Sequence, residues 1–174
     1  MLRSASSLFV LSLLALQVTI VKAIDNGIYL IEDIYGGRLG LGAIPDIYPR
    51  PDVPVRVFER DSHFVEHWKV KNADDGALTI SVANGGAHDG YKIIAEGDYV
   101  FASTEKHADT WSVTSVGGDQ VQIKAPYKDE VFTAGHYEYV TLQPAQGLPS
   151  QKWNFIRIDR ELYHRNRFCV QESW

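Results

Sequence analysis

The sequence predicts an all-β protein of the β-trefoil class, with twelve strands in three pseudo-repeats of about forty residues. Three observations carry that prediction. Tryptophans stand at 68, 111 and 153, each followed by a polar and then an apolar residue, at intervals of 43 and 42 residues. Before each tryptophan lie three further short runs rich in β-branched and aromatic residues, divided by Gly, Asp, Asn or Pro turn signals. No window carries a helical period, and a repeat that cannot bury its apolar face alone must close onto its copies.

Ahead of the repeats is a different kind of segment. Arg3 gives a positive start, Leu8 to Val21 is nearly all apolar, and Val21-Lys22-Ala23 supplies small residues for cleavage. Residues 1–23 are therefore expected to be a secretory signal, leaving a mature chain from Ile24 that is exported and extracellular. The apolar run falls short of the roughly 20 residues that span a bilayer, so no membrane partner is expected.

In the first repeat the strand signals read "GIYLIE" from Gly27, "RLGL" from Arg38, "VRVF" from Val55 and "WKV" from Trp68. The second repeat offers "ALTISV" from Ala77, "YKIIA" from Tyr91, "YVFAS" from Tyr99 and "WSV" from Trp111. The third follows with "QVQIKA" from Gln120, "VFTAG" from Val131, "YVTLQ" from Tyr139 and "WNFI" from Trp153. Val57, Phe101 and Leu142 are read as matched positions of the third strands. The domain is placed at 24–160, with 161–174 as a C-terminal tail.

Composition narrows the function classes. The mature residues carry a formal charge of −7, which argues against nucleic acid as a partner. Cys169 is the only cysteine, so no internal disulfide can form and the core must hold the fold alone. No N-x-S/T sequon occurs, and a monomer is expected.

One stretch points elsewhere. His63-Phe64-Val65-Glu66-His67 spells H-x-x-E-H, in which two histidines on one helical turn bind zinc and the glutamate activates water. Trp68 begins a strand, however, and the copies "ADTW" and "SQKW" carry no histidine or glutamate at those places. The motif reads as an accident, His63 and His67 as solvated loop and strand-entry residues. His88, His107, His136 and His164 make no recognisable catalytic pair, and no G-x-S-x-G or catalytic-cysteine context appears. Neither an enzyme nor a metal or other cofactor is expected.

A threefold scaffold should carry function where one copy departs from the others. From second-strand to third-strand apolar position the first repeat takes 18 residues (Leu39 to Val57), the second 8 (Ile93 to Phe101) and the third 10 (Phe132 to Leu142). The excess is "AIPDIYPRPDVP", Ala43 to Pro54, which holds four of the seven prolines. Each proline fixes its own φ and biases the residue before it toward extended conformations. A stiff, extended, exposed loop presenting Tyr48 and Arg50 is expected. A second departure lies in the second repeat, where Leu78 to Ile93 takes 15 residues against 10 and 11 elsewhere. Its loop, "NGGAHDG" from Asn84 to Gly90, is expected to be mobile because of its glycines.

The opening "NGIYLIEDIYGGRLGLG", the Trp-x-Val repeats and the closing "QKWNFIRIDRE" resemble the fungal β-trefoil serine protease inhibitors, the cospin-like family, from about Asp25 to Arg160. The resemblance implies a loop between second and third strands that occupies a trypsin-like active site, where this chain has its insertion. In the family that loop commonly carries a charged stretch ending in Pro-Lys. Here Pro49-Arg50 stands at the comparable place, preceded by Pro45-Asp46-Ile47-Tyr48. The binding loop implied is thus Pro45, Asp46, Ile47, Tyr48, Pro49, Arg50, Pro51 and Asp52. Arg50 would suit a pocket with an acidic floor, and Tyr48 a chymotrypsin-like one. The partner implied is a serine endopeptidase, with cysteine proteases the targets of related fungal trefoils. The signal peptide and the tail depart from the family pattern.

A second trefoil trade is carbohydrate binding. Gln151-Lys152-Trp153 matches the Q-x-W signature of ricin-B-type lectins, but Glu66-His67-Trp68 and Asp109-Thr110-Trp111 lack the glutamine. Sugar binding is accordingly expected to be weak or absent, with Gln151 equally readable as a hydrogen-bonding residue at the edge of the core.

Overall fold

The computed structural model describes residues 23–45, 47–83, 88–135 and 139–158. The predicted signal segment up to Lys22 and the 161–174 tail lie outside the described residues, as does Cys169. Twelve strands form: β1 (Gly27–Asp33), β2 (Arg38–Leu41), β3 (Val53–Phe58), β4 (Trp68–Asn72), β5 (Leu78–Val82), β6 (Lys92–Glu96), β7 (Tyr99–Ser103), β8 (Ser112–Gly117), β9 (Gln120–Lys124), β10 (Glu130–Thr133), β11 (Thr141–Pro144) and β12 (Trp153–Arg157). Each overlaps its sequence signal; β2 and β7 have the bounds of theirs, and the others differ at one or both ends by one to a few residues.

Six strands close a barrel. β1 pairs with β12 and β4, β4 with β5, and β9 with β8 and β12, all antiparallel. The ring is completed between β5 and β8 by Leu78 and Trp111, which exchange amide-to-carbonyl bonds of 2.9 and 2.8 Å. The other six strands make three hairpins, β2–β3, β6–β7 and β10–β11, which join one another across one end of the barrel. There the Val100 amide donates to the Val140 carbonyl at 3.0 Å and the Val140 amide to the Val55 carbonyl at 2.9 Å. Val55, Val100 and Val140 are fully buried, one from each repeat. Barrel plus threefold hairpin cap is the β-trefoil arrangement.

The three tryptophans are equivalent core positions, each with no exposed surface. Trp68 Nε1 donates to the Leu39 carbonyl at 3.2 Å and Trp153 Nε1 to the Phe132 carbonyl at 3.1 Å. Ile93 holds the corresponding place in the second repeat; its carbonyl accepts the Asp109 amide at 3.3 Å just as that of Leu39 accepts the Glu66 amide at 3.2 Å, but Trp111 Nε1 does not reach it and is buried without an acceptor. Trp111 instead packs edge-on against Phe132, with ring centres 4.8 Å apart.

One register assignment is corrected. Leu39 faces Val57, Ile93 faces Ala102 and Phe132 faces Leu142, so Ala102, not Phe101, is the second-repeat match. Ala102 is fully buried and Phe101 only half so. Because side chains alternate across a strand, a one-residue slip exchanges core and surface faces; the larger apolar residue gave the wrong phase. With Ala102 as the match, the first-repeat insertion stands out unchanged.

Residues 61–67 form turns and a bridge rather than a helix, so His63, Glu66 and His67 do not share a helical face. Val65 bridges to Gly40, and a Cβ at Gly40 would lie 1.9 Å from the Phe64 carbonyl oxygen. Only glycine allows this segment to lie against β2. Among the described residues no group of three His, Cys, Asp or Glu side chains is placed to hold a metal ion.

Candidate functional site

The insertion between β2 and β3 is a loop from Gly42 to Asp52, because β3 starts at Val53. Val53 and Pro54, counted with the loop from sequence, belong to the strand and pair with Ala102 and Phe101 of β7. The corresponding connection in the second repeat is two residues, Gly97-Asp98, with Gly97 at a φ of +60°. That positive φ suits the tight hairpin turns in which glycine takes the first central position. The long loop is thus an addition to a scaffold that closes without it.

Both ends of the loop are fixed. Ile44 packs against the core at the entry, and the Ile47 amide bonds back to the Pro45 carbonyl at 2.9 Å. At the exit, the Asp52 carboxylate pairs with Lys106 Nζ at 2.7 Å, and Lys106 also reaches Glu96 at 2.8 Å. Burial alone would push the Asp52 carboxyl up, but hydrogen bonds from Lys106 and Ser103 hold it below the usual carboxylate range. The Pro51 carbonyl accepts the Tyr91 hydroxyl at 3.2 Å. Tyr91 is buried, which raises its hydroxyl pKa, with the Arg50 charge acting in the opposite sense.

Between those ends the chain bends at Tyr48-Pro49, whose peptide bond is cis, instead of running extended throughout. Pro45, Pro49 and Arg50 are exposed, and Pro51 and Asp52 half-buried. Ile47 is 58% exposed and Tyr48 95%. Asp46 lies outside the described residues. Arg50 does not project as Tyr48 does: its Nη1 donates to the Asp89 carbonyl at 3.5 Å.

Asp89 and Tyr91 come from the second departure from threefold symmetry. Asn84–Ala87 of that loop lie outside the described residues, while His88, Asp89 and Gly90 form a turn leading to Tyr91. His88 Nδ1 makes a short contact with Glu66 Oε1. Burial raises the Glu66 carboxyl pKa, opposed by His88. Two ties, Arg50 to Asp89 and Tyr91 to Pro51, therefore join the first-repeat insertion to the second-repeat turn and the residue that follows it, and a third, Glu66 to His88, anchors that turn to the segment before β4. The next junction shows the plain form of the same contact, where Lys128 Nζ of the β9–β10 turn donates to the Gly97 carbonyl at 2.9 Å. Sequence counting found each loop but carried no signal that they meet, since the contacts join residues 39 and 40 positions apart.

The residue two before each tryptophan does structural work. Asp109 Oδ2 accepts the Ala95 amide at 2.7 Å. Gln151 has no exposed surface; its Oε1 accepts the Gln146 amide at 2.8 Å, and its Nε2 donates to Pro144 O at 2.9 Å and Thr133 Oγ1 at 3.2 Å. Every polar group of its amide is engaged internally, so Gln151 presents nothing to a ligand.

A separate cavity of about 330 Å³ lies beside the β1–β2 turn, lined by Asp33, Tyr35, Gly36, Gly37, Phe58 and Arg60 among others. Asp33 Oδ1 accepts the Tyr35 and Gly37 amides, both at 2.8 Å, which fixes the turn. Tyr35 is largely exposed at its mouth.

No family model and no curated protein sequence matches this chain. Solved structures do. A proteinase inhibitor from Coprinopsis cinerea is similar with a TM-score of 0.63 at 16% identity, over 78% of this chain and 99% of that one. The designed threefold-symmetric protein ThreeFoil is similar with a TM-score of 0.61 at 14% identity, over 76% of this chain and 100% of its own. The Macrolepiota procera ricin B-like lectin, solved with lactose, is similar with a TM-score of 0.59 at 14% identity, over 79% of this chain and 99% of its own. At these identities the likeness establishes the β-trefoil fold and leaves inhibitor and lectin both open.

Proposed function

We propose that the mature protein is a secreted inhibitor of a serine protease, acting through the loop around Pro45 to Asp52 as a binding module and not as an enzyme. The observation that carries this reading is a proline-rich excursion of one repeat, fixed at both ends, whose central side chains point into solvent. A loop held in shape before docking loses little conformational entropy on binding, so more of its contact energy appears as affinity. The resemblance to the fungal cospin-like inhibitors and the structural likeness to the Coprinopsis cinerea proteinase inhibitor support the same reading. On sequence grounds Arg50 favours a trypsin-like target. The test is inhibition of purified trypsin-, chymotrypsin-, subtilisin- and papain-like proteases by the mature protein. Loss of all inhibition at micromolar concentration would remove the proposal.

A second reading has its own observation. The cavity beside Asp33 and Tyr35 combines a carboxylate with an exposed aromatic ring, the pairing on which a sugar can stack and hydrogen-bond. Carbohydrate binding there is the alternative, and a glycan array compared between the protein and Tyr35→Ala decides it. Retention of one sugar class, lost in the variant, would favour the lectin.

A further inference from the structure

The proposed loop offers two side chains of different chemistry, and the structure treats them differently. Tyr48 is 95% exposed, with its ring projecting from the bend of the loop. Arg50 is exposed at its surface but turned back, its guanidinium on the Asp89 carbonyl and close enough to Tyr91 to oppose the burial effect on its hydroxyl. The chain continues from Arg50 into Pro51, whose carbonyl is held by Tyr91.

We infer that Tyr48, not Arg50, is the side chain that enters the protease's specificity pocket, and that the partner is a serine protease with a deep apolar pocket of the chymotrypsin-like kind. The inference rests on the inhibitor reading of this loop. An apolar pocket takes up the Tyr48 ring, which contributes large apolar area with only two side-chain torsions to fix. Using Arg50 instead would require withdrawing its guanidinium from the Asp89 carbonyl and bringing a mature chain of formal charge −7 up to an acidic pocket. Arg50 is a positioning residue: it links the loop to the second-repeat turn at Asp89, while Tyr91 fixes the adjoining Pro51. That arrangement gives the turn at Asp89 a purpose, as a support for the first-repeat loop.

Both candidate side chains precede a proline, Pro49 or Pro51, so neither presents an ordinary peptide N–H at a bond a protease would cut. The loop therefore blocks the active site as an uncut plug, and specificity depends on which side chain is free to enter.

The experiment measures inhibition constants of the mature wild type, Tyr48→Ala, Tyr48→Arg, Arg50→Ala and Arg50→Lys against a chymotrypsin-like and a trypsin-like protease. Thermal midpoints verify that all variants fold. The expected result is preferential inhibition of the chymotrypsin-like enzyme, weakened about thirtyfold or more by Tyr48→Ala, as for a residue at an interface centre. Arg50→Ala should cost about fivefold or less, the scale of one exposed hydrogen bond, and Arg50→Lys, which can still donate to Asp89, should recover it. Tyr48→Arg should move the preference to the trypsin-like enzyme. If Arg50→Ala abolishes inhibition while Tyr48→Ala leaves it intact, the assignment of Tyr48 is overturned and the loop reading survives. If neither the wild type nor Tyr48→Arg inhibits either enzyme, the loop reading itself is overturned.

Discussion

The Tyr91 hydroxyl donates to the Pro51 carbonyl at 3.2 Å, joining the exit of the first-repeat loop to the first residue after the second-repeat loop. Tyr91 is otherwise a core residue, so the bond connects the surface loop to the interior of the barrel. Tyr91→Phe keeps the packing and deletes only the donor. It is expected to lower stability by about 0.5–1.5 kcal/mol and to weaken protease inhibition several-fold. Chemical denaturation and inhibition assays on the same variant check both effects.

The tryptophans separate by their hydrogen bonds. Alanine at 68, 111 or 153 should cost about 3 to 5 kcal/mol, the scale for deleting a buried aromatic side chain. Phenylalanine should discriminate among them. Trp68→Phe and Trp153→Phe lose an indole donor that has an acceptor, whereas Trp111→Phe removes a buried N–H that has none. Trp111→Phe is therefore expected to be the mildest of the three in denaturant midpoint, and equal costs across the series would contradict the assignment.

Gln151→Ala should destabilise by about 2 kcal/mol or more, because it opens a cavity at a fully buried side chain and removes its bonds to the buried Thr133 hydroxyl, the Gln146 amide and the Pro144 carbonyl. Any sugar binding should be unaffected in the fraction that remains folded. A loss of sugar binding at full native signal would assign Gln151 a ligand role.

Acid should loosen the loop base. The Asp52 carboxyl is held below its unfolded value by Lys106 and Ser103, against the opposing effect of burial. A depressed carboxylate contributes stability that is present above the unfolded pKa and lost as pH falls through the folded one. Asp52→Asn should accordingly flatten the acidic limb of the stability profile, below about pH 4. Both side chains of the pair are partly exposed, so the difference should shrink in high salt. An acidic limb identical in wild type and variant would show that the Asp52–Lys106 pair does not contribute to it.

Ile24 is buried in the core cluster, and the proposed signal cleavage leaves it as the first residue of the secreted chain. Mass spectrometry of secreted material should find that start. A terminus beyond Ile24 would remove a core side chain and should lower the thermal midpoint.

The alternation of short apolar runs with turn residues, and the spacing of Trp68, Trp111 and Trp153, determined the fold from sequence alone, because a strand's period and a repeat's spacing are local properties of the chain. The first-repeat insertion was equally legible, since counting residues between matched positions needs no coordinates. Its roles were not. The phase of β7 at Ala102, the internal work of Gln151, the turning of Arg50 onto Asp89 and the meeting of two loops across a repeat junction all depend on contacts between residues far apart in sequence. Each arises only when the repeats close on one another, and that closure alone decides which exposed side chain is held back and which is left free.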